Sequence, residues 1–204
     1  MSDAAKFWDA RYAEDDFAYG EAPSALVVAI EPSLPRRARV LCLAEGEGRN
    51  AVYLAQHGHD VTAVDLSGVG LEKARALAAR HGVAIHTVLA DLAELSIEEG
   101  AWDVIVAVWM HLPPPLLSRV LASAARGLAP GGRLVMESYR KEQLALGTGG
   151  PREASMLVDP IELRATLEAA GLTIERLDAI ERDVHEGRYH EGRSAVVQAV
   201  AKRA

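Results

Sequence analysis

An α/β fold is what this 204-residue sequence predicts: a mostly parallel sheet of seven strands with an antiparallel last strand and helices on both faces. Three observations predict it. Apolar runs of strand length alternate with longer segments of helical period, the pattern of successive βαβ units. The first five runs are dense in Val, Ile, Leu and Ala, as strands buried on both faces should be. Gly58, Gly82 and Pro130-Gly-Gly132 fall where the intervening helices must stop. Together these features describe a Rossmann-like, doubly wound sheet.

The strands are expected near 39–44, 60–65, 84–89, 102–109, 132–139, 173–181 and 194–202. Helices are expected near 50–57, 68–81 and 114–128, where apolar residues recur at helical spacing. Asp159-Pro160-Ile-Glu162 opens a further helix, with Asp as N-cap, Pro at the first helical position and Glu at the third; that helix ends near Gly171. Two short helical pieces, about 3–13 and 23–31, precede the first strand. No long helix separates the last two strands, so they pair antiparallel at one edge. No repeat or linker divides the chain, which reads as one domain over 1–204. Within it, 1–31 forms an N-terminal helical cap and the irregular segment 140–158, with Gly147-Thr-Gly-Gly150, forms a lid.

Half the residues are apolar and a quarter charged, the mix of an ordinary globular protein. The longest apolar run, Val104 to Met110, is far short of the roughly 20 residues that cross a bilayer. The N-terminus lacks the apolar stretch of a signal peptide. The one cysteine, Cys42, lies inside an apolar run and reads as a buried, inert thiol. Location in the cytoplasm is expected, with no membrane partner. A net charge of −7 speaks against a nucleic-acid partner, which needs clustered Lys and Arg. Whether the chain is a monomer or a homodimer is left open by the sequence.

The first strand runs into Ala44-Glu45-Gly46-Glu47-Gly48-Arg49-Asn50 and then a helix. Glycines at this turn let a ligand approach the backbone beside a helix N-terminus. Asp65 closes the second strand, placed to accept both hydroxyls of a ribose, and Asp91 follows the third, near an adenine. Gly46-x-Gly48-x-x-Ala51 also fits a dinucleotide pattern, so an NAD(P)-dependent oxidoreductase is the rival reading. Glu45 and Glu47 weigh against it. Two carboxylates would repel a pyrophosphate and welcome a ligand carrying an ammonium and a sulfonium.

Val40-Leu-Cys-Leu-Ala-Glu-Gly-Glu-Gly-Arg-Asn50, Thr62-Ala-Val-Asp-Leu-Ser67, Ala90-Asp91-Leu92 and Leu128-Ala-Pro-Gly-Gly132 resemble, in order, the motifs of class I S-adenosylmethionine-dependent methyltransferases. The leading Phe7-Trp8-x-x-Arg11-Tyr12 and Tyr19-Gly20 are similar to the bacterial tellurite-resistance and small-molecule branch. The sequence departs from the pattern at Cys42, Ala44 and Glu45, where Asp, Gly and a small residue are usual. The resemblance implies S-adenosylmethionine as cofactor, with Gly46 and Gly48 at its methionine part, Asp65 at the ribose and Asp91 at the adenine. Glu45, Asn50, Leu66 and Leu92, neighbours in the same motifs, complete the expected cofactor contacts. It also implies transfer of the methyl group to a small-molecule nucleophile, a thiol, metalloid oxyanion or similar. A non-catalytic protein that binds S-adenosylmethionine or S-adenosylhomocysteine is the alternative from another class.

Trp8, Tyr12, Tyr19 and Trp109 are candidates for an aromatic wall around a sulfonium, which cation–π attraction favours by roughly 1–2 kcal/mol. Methyl transfer needs a nucleophile held in line and a base only if that nucleophile is protonated. His111, at the end of the fourth strand, is the candidate base or acceptor contact, with His185 or His190 folding over from the last connection. The His185/His190 spacing fits no standard zinc pattern, and no metal is expected.

Overall fold

The computed structural model describes residues 2–204. Helices α1 (Asp3–Tyr12) and α2 (Ala25–Ile30) lead in, each N-capped by a serine: Ser2 Oγ accepts from Ala5 N–H and Ser24 Oγ from Leu26 N–H. Then follow β1 (Arg39–Leu43), α3 (Arg49–Gln56), β2 (Asp60–Asp65), α4 (Gly68–Arg80), β3 (His86–Leu89) and β4 (Trp102–Val108). The chain continues through α5 (Pro114–Gly127), β5 (Leu128–Tyr139), the single turn α6 (Gln143–Leu146), α7 (Pro160–Ala169), β6 (Leu172–His185) and β7 (Glu191–Arg203). Asp159 caps α7 through two backbone N–H groups, as its sequence requires.

The seven strands form one sheet in the order β3-β2-β1-β4-β5-β7-β6. The first five are mutually parallel, and β7 runs antiparallel to both β5 and β6. Successive side chains of β1 alternate between two cores, as the two-residue strand period demands. Leu41 and Leu43 pack on the α5/α7 face, whereas Val40 and Cys42 pack with Leu26, Ala51, Leu54 and Leu71 on the α2/α3/α4 face. The strand order reverses direction between β1 and β4, which opens a crevice above their carboxyl ends.

Two local expectations need correction. β3 is not buried on both faces: it is the sheet edge, and Leu89 is 64% exposed. Its apolar residues lack the second neighbour strand that buries β1 and β4. The final hairpin is also much longer than alternation suggests, pairing from Leu172↔Arg203 out to His185↔Glu191. Polar side chains in its outer half broke the apolar pattern because several of them serve buried partners. No helix among the described residues is long and apolar enough to cross a membrane.

Candidate functional site

Between β1 and α3 the chain turns within five residues, and Ala44, Gly46 and Gly48 all take left-handed φ values of 51, 62 and 89°. For Ala44, which has a Cβ, that conformation costs about 1–2 kcal/mol. Gly46 is constrained by space as well, since a Cβ there would lie 2.6 Å from Tyr12 Oη. Glu45 does not face a ligand. Its Oε1 accepts from the Asn50 and Ala51 N–H groups, both at 2.8 Å, so the carboxylate sits on the N-terminus of α3. Burial pushes this carboxyl up to about 7 despite those bonds. Glu47 is engaged too, accepting from Ala18 N–H at 2.7 Å and pairing with Lys73 Nζ at 2.8 Å. The expectation that both glutamates await a cationic ligand is therefore corrected: free N–H donors at a helix start and a nearby lysine already hold them.

Asp65 ends β2 beside the turn. Its Oδ2 accepts from Gly46 N–H and its Oδ1 from Ser67 N–H, each at 2.8 Å, and burial raises its pKa. A carboxylate offers about four lone-pair positions, so two remain for ribose hydroxyls. Asp91 is half-buried beyond β3, its Oδ1 accepting from Ala93 N–H at 2.8 Å. Leu66 is half-buried next to Asp65, and Leu92 packs on the α5/α7 core. The Asn50 amide oxygen is spent on Ser24 N–H at 2.9 Å, fixing the start of α2.

From Tyr12, on top of Gly46, a line of rings crosses the crevice. Trp8 stacks on Tyr12 with centroids 5.6 Å apart, and Tyr19 follows at 6.3 Å. Tyr19 lies 4.6 Å from His190, which meets Trp109 edge-on at 4.7 Å. Trp109 stacks on Tyr139 at 4.3 Å, and Tyr139 on His111 at 5.7 Å. All four aromatics expected to form a wall are thus brought together, with Tyr139 and the two histidines added. Trp109 itself has φ 59°, a strained conformation for a bulky residue that costs on the order of 1–3 kcal/mol. Two bonds hold it: its backbone N–H donates to Glu137 O at 2.8 Å and its indole Nε1–H to Glu186 Oε2 at 2.6 Å.

Glu186, from the tip of the β6–β7 hairpin, also pairs with Arg49 at 2.6 Å and Arg182 at 3.0 Å. Arg182 reaches on to Glu137 at 2.8 Å, and Glu137 accepts from Gln198 and from Ser24. Arg49 is the first residue of α3, so this buried, charge-balanced network ties the hairpin tip to the glycine-rich turn.

The histidines divide. His111 Nδ1–H donates to Met156 O at 3.1 Å, which leaves Nε2 as a lone pair, buried and without a partner. Burial lowers its pKa to about 4. His190 is 4% exposed with Nδ1 unpartnered, and burial among Arg49, Arg11 and Arg182 lowers its pKa to about 2. His185 is not brought to the site: it lies exposed on the hairpin, paired with Glu191 at 2.6 Å. Its position, one residue before the inward-facing Glu186, turns it outward by the strand period. Sequence reasoning missed Tyr139, Glu186, Arg49 and Arg182. Tyr139 carried a signal, as a polar-tipped aromatic at the carboxyl end of a buried strand; the other three carried none until their partners met.

Residues 40–132 match the family model described as a methyltransferase domain. The chain is 35% identical over 161 residues to the uncharacterized methyltransferase Rv3342 of Mycobacterium tuberculosis, covering 76% of this chain and 62% of that one. It is 27% identical over 157 residues to the ubiquinone biosynthesis O-methyltransferase of Xanthomonas axonopodis pv. citri, covering 69% and 65%. The chain thus spans less than two thirds of the length of these curated relatives. The solved structure of TehB from Haemophilus influenzae superposes with a TM-score of 0.74 over 98% of this chain and 67% of that one, at 18% identity, a likeness of fold. Over residues 40–132 the chain is thus similar to a methyltransferase domain, and over nearly its whole length it shares the fold of TehB.

Proposed function

We propose that the protein transfers a methyl group from S-adenosylmethionine to a small-molecule nucleophile by in-line displacement. The observation that carries the choice of cofactor is the Glu45 carboxylate seated on the α3 N-terminus. A dinucleotide pyrophosphate needs those N–H donors bare; a carboxylate already on them excludes it, while Asp65 keeps lone pairs for a ribose. Gly46, Gly48, Asp65, Leu66, Asp91 and Leu92 would hold the cofactor, with Tyr12, Trp8 and Tyr19 closing over it. When bound, S-adenosylmethionine supplies an electrophilic methyl group on a sulfonium.

The chain's own residues then position and enclose. Trp109, His111 and His190 line the acceptor side, and any proton the acceptor loses goes to His111 Nε2. A base of pKa about 4 is weak toward a resting acceptor but adequate for one made acidic by partial methylation. The segment 140–158 serves as a lid that keeps water out. Nucleic acid is disfavoured as acceptor by the net charge of −7. We place the protein in the cytoplasm, as a monomer or homodimer. The test is release of S-adenosylhomocysteine by purified protein across a panel of small thiols, hydroxyls, amines and oxyanions. Release with at least one is expected; nicotinamide-linked turnover in its place would overturn the reading.

A further inference from the structure

The buried hydroxyl and imidazole groups in the ring cluster specify what kind of molecule it takes. Tyr139 is fully buried and its Oη has no partner; the nearby Ser194 hydroxyl donates to Gly192 O at 3.0 Å. His190 Nδ1 and His111 Nε2 are equally buried and equally without partners. Leaving a buried polar atom unpaired costs on the order of 1–3 kcal/mol. Three such atoms on rings that touch each other mark a place built for something that binds there. Resting on the assignment of this side to the acceptor, we propose that His111, Tyr139 and His190 form an acceptor subsite selective for an uncharged molecule bearing a hydroxyl or thiol.

The three unpartnered atoms favour a neutral molecule over a charged one. Because His111 Nδ1–H is committed to Met156 O, Nε2 offers only a lone pair. Tyr139 Oη can donate or accept. A hydroxyl or thiol does both, and so complements the pair. An oxyanion has only acceptors and would face the Nε2 lone pair; an ammonium has only donors and would find no carboxylate free. Glu186 and Glu137 are already paired with Arg49 and Arg182, and those arginines are equally unavailable to an anion. Arg11 has no carboxylate partner among the described residues; its guanidinium donates to Tyr19 Oη at 3.0 Å and lies 4.1 Å from the Tyr189 ring centre. Burial keeps both imidazoles uncharged.

The roof over these groups fits tightly. At Gly149, φ is 156° and a Cβ would lie 2.5 Å from Tyr139 Oη, so only glycine lets the segment close this far. Thr148 hangs it from Arg193 O at 2.6 Å, and Gln143 braces it through Gly149 O at 3.2 Å. Entry of a ligand requires this roof to lift.

Binding, separate from turnover, tests the proposal. Protein saturated with S-adenosylhomocysteine is titrated at pH 7.5 with phenol, benzyl mercaptan, sodium selenite and benzylamine, followed by calorimetry and tryptophan fluorescence. Phenol or benzyl mercaptan is expected to bind, and Tyr139→Phe, which removes only the unpartnered oxygen, to weaken that binding at least tenfold. His111→Gln, as a second variant, should weaken it similarly. Tighter binding of selenite or benzylamine, an unchanged affinity in both variants, or no binding of either neutral probe would overturn it. Saturation with S-adenosylhomocysteine is measured first; if it fails while the neutral probes still bind, the methyltransferase reading falls and the subsite stands.

Discussion

The glycine-rich turn and the ring cluster lie at opposite sides of one crevice and treat their polar atoms in opposite ways. Around the turn, Glu45, Glu47 and Asp65 are buried and each already holds backbone N–H groups. In the ring cluster, Tyr139, His111 and His190 keep three polar atoms that hold nothing. The turn is a finished object, braced by bonds spanning two to 29 residues that form with the fold. The cluster is assembled from residues 109 to 190 and is complete only with a guest. A site can therefore be preorganised for one ligand and left unsatisfied for another within the same crevice.

Removing the brace between the two regions gives the largest effect. Glu186→Ala leaves Arg49 without its carboxylate and the strained Trp109 without its indole acceptor, and breaking such a buried pair costs about 3–5 kcal/mol. At about 2–4 °C per kcal/mol for a chain of this size, the midpoint of thermal unfolding should fall by roughly 6–20 °C. A midpoint within a degree of the parent would show that the network does not hold the cluster together.

His111→Ala addresses the ring side alone. With a cognate acceptor, turnover should drop roughly tenfold to a thousandfold, while cofactor affinity stays within about a factor of three, under 1 kcal/mol. Equal losses in both would erase the distinction between the two sides. On the turn side, Asp65→Ala should weaken cofactor binding by about 1.5–3 kcal/mol. It should also lower the stability of the ligand-free protein, because the N–H groups of Gly46 and Ser67 lose their acceptor. A surface role for Asp65 predicts neither change.

The smallest effect is a slope. Buried His111 and His190 have pKa values of about 4 and about 2 against 6.5 when unfolded, so the folded state refuses protons that the unfolded chain takes. Each makes stability fall by about 1.4 kcal/mol per unit as pH drops below 6.5. Glu45 has the opposite sign: raised from 4.5 to about 7, it keeps its proton in the fold and gains stability as pH drops through that window. Between pH 6.5 and 4.5 these three groups together give a net loss of about 1.4 kcal/mol per unit. His190→Asn should flatten that slope, as read from urea midpoints; a slope unchanged by the substitution would place His190 in contact with solvent.

The same contrast explains what could be read from residues alone. The strand positions follow from patterns a few residues long, and so do the turn, Asp65 and Asp91, because each of these is positioned by the strand it follows or ends. Local sequence also located Trp8, Tyr12, Tyr19 and Trp109, without showing that Tyr139 joins them. The direction of Glu45 was misread, since charge along the chain does not reveal that the N–H groups of Asn50 and Ala51 lie closer to it than any ligand. His185 and His190 look equivalent in sequence and differ by which side of a hairpin they face. Glu186 has meaning only through Arg49, 137 residues away, and Trp109.

The most direct measurement is calorimetric titration of the purified protein with S-adenosylmethionine, S-adenosylhomocysteine, NAD and NADP. Glu45 on the α3 N-terminus and Asp65 beside Gly46 predict micromolar binding of the first two and no detectable heat from the dinucleotides. Tight binding of NAD or NADP, or no binding of S-adenosylmethionine, would contradict the assignment of the turn and with it the function proposed for the whole crevice.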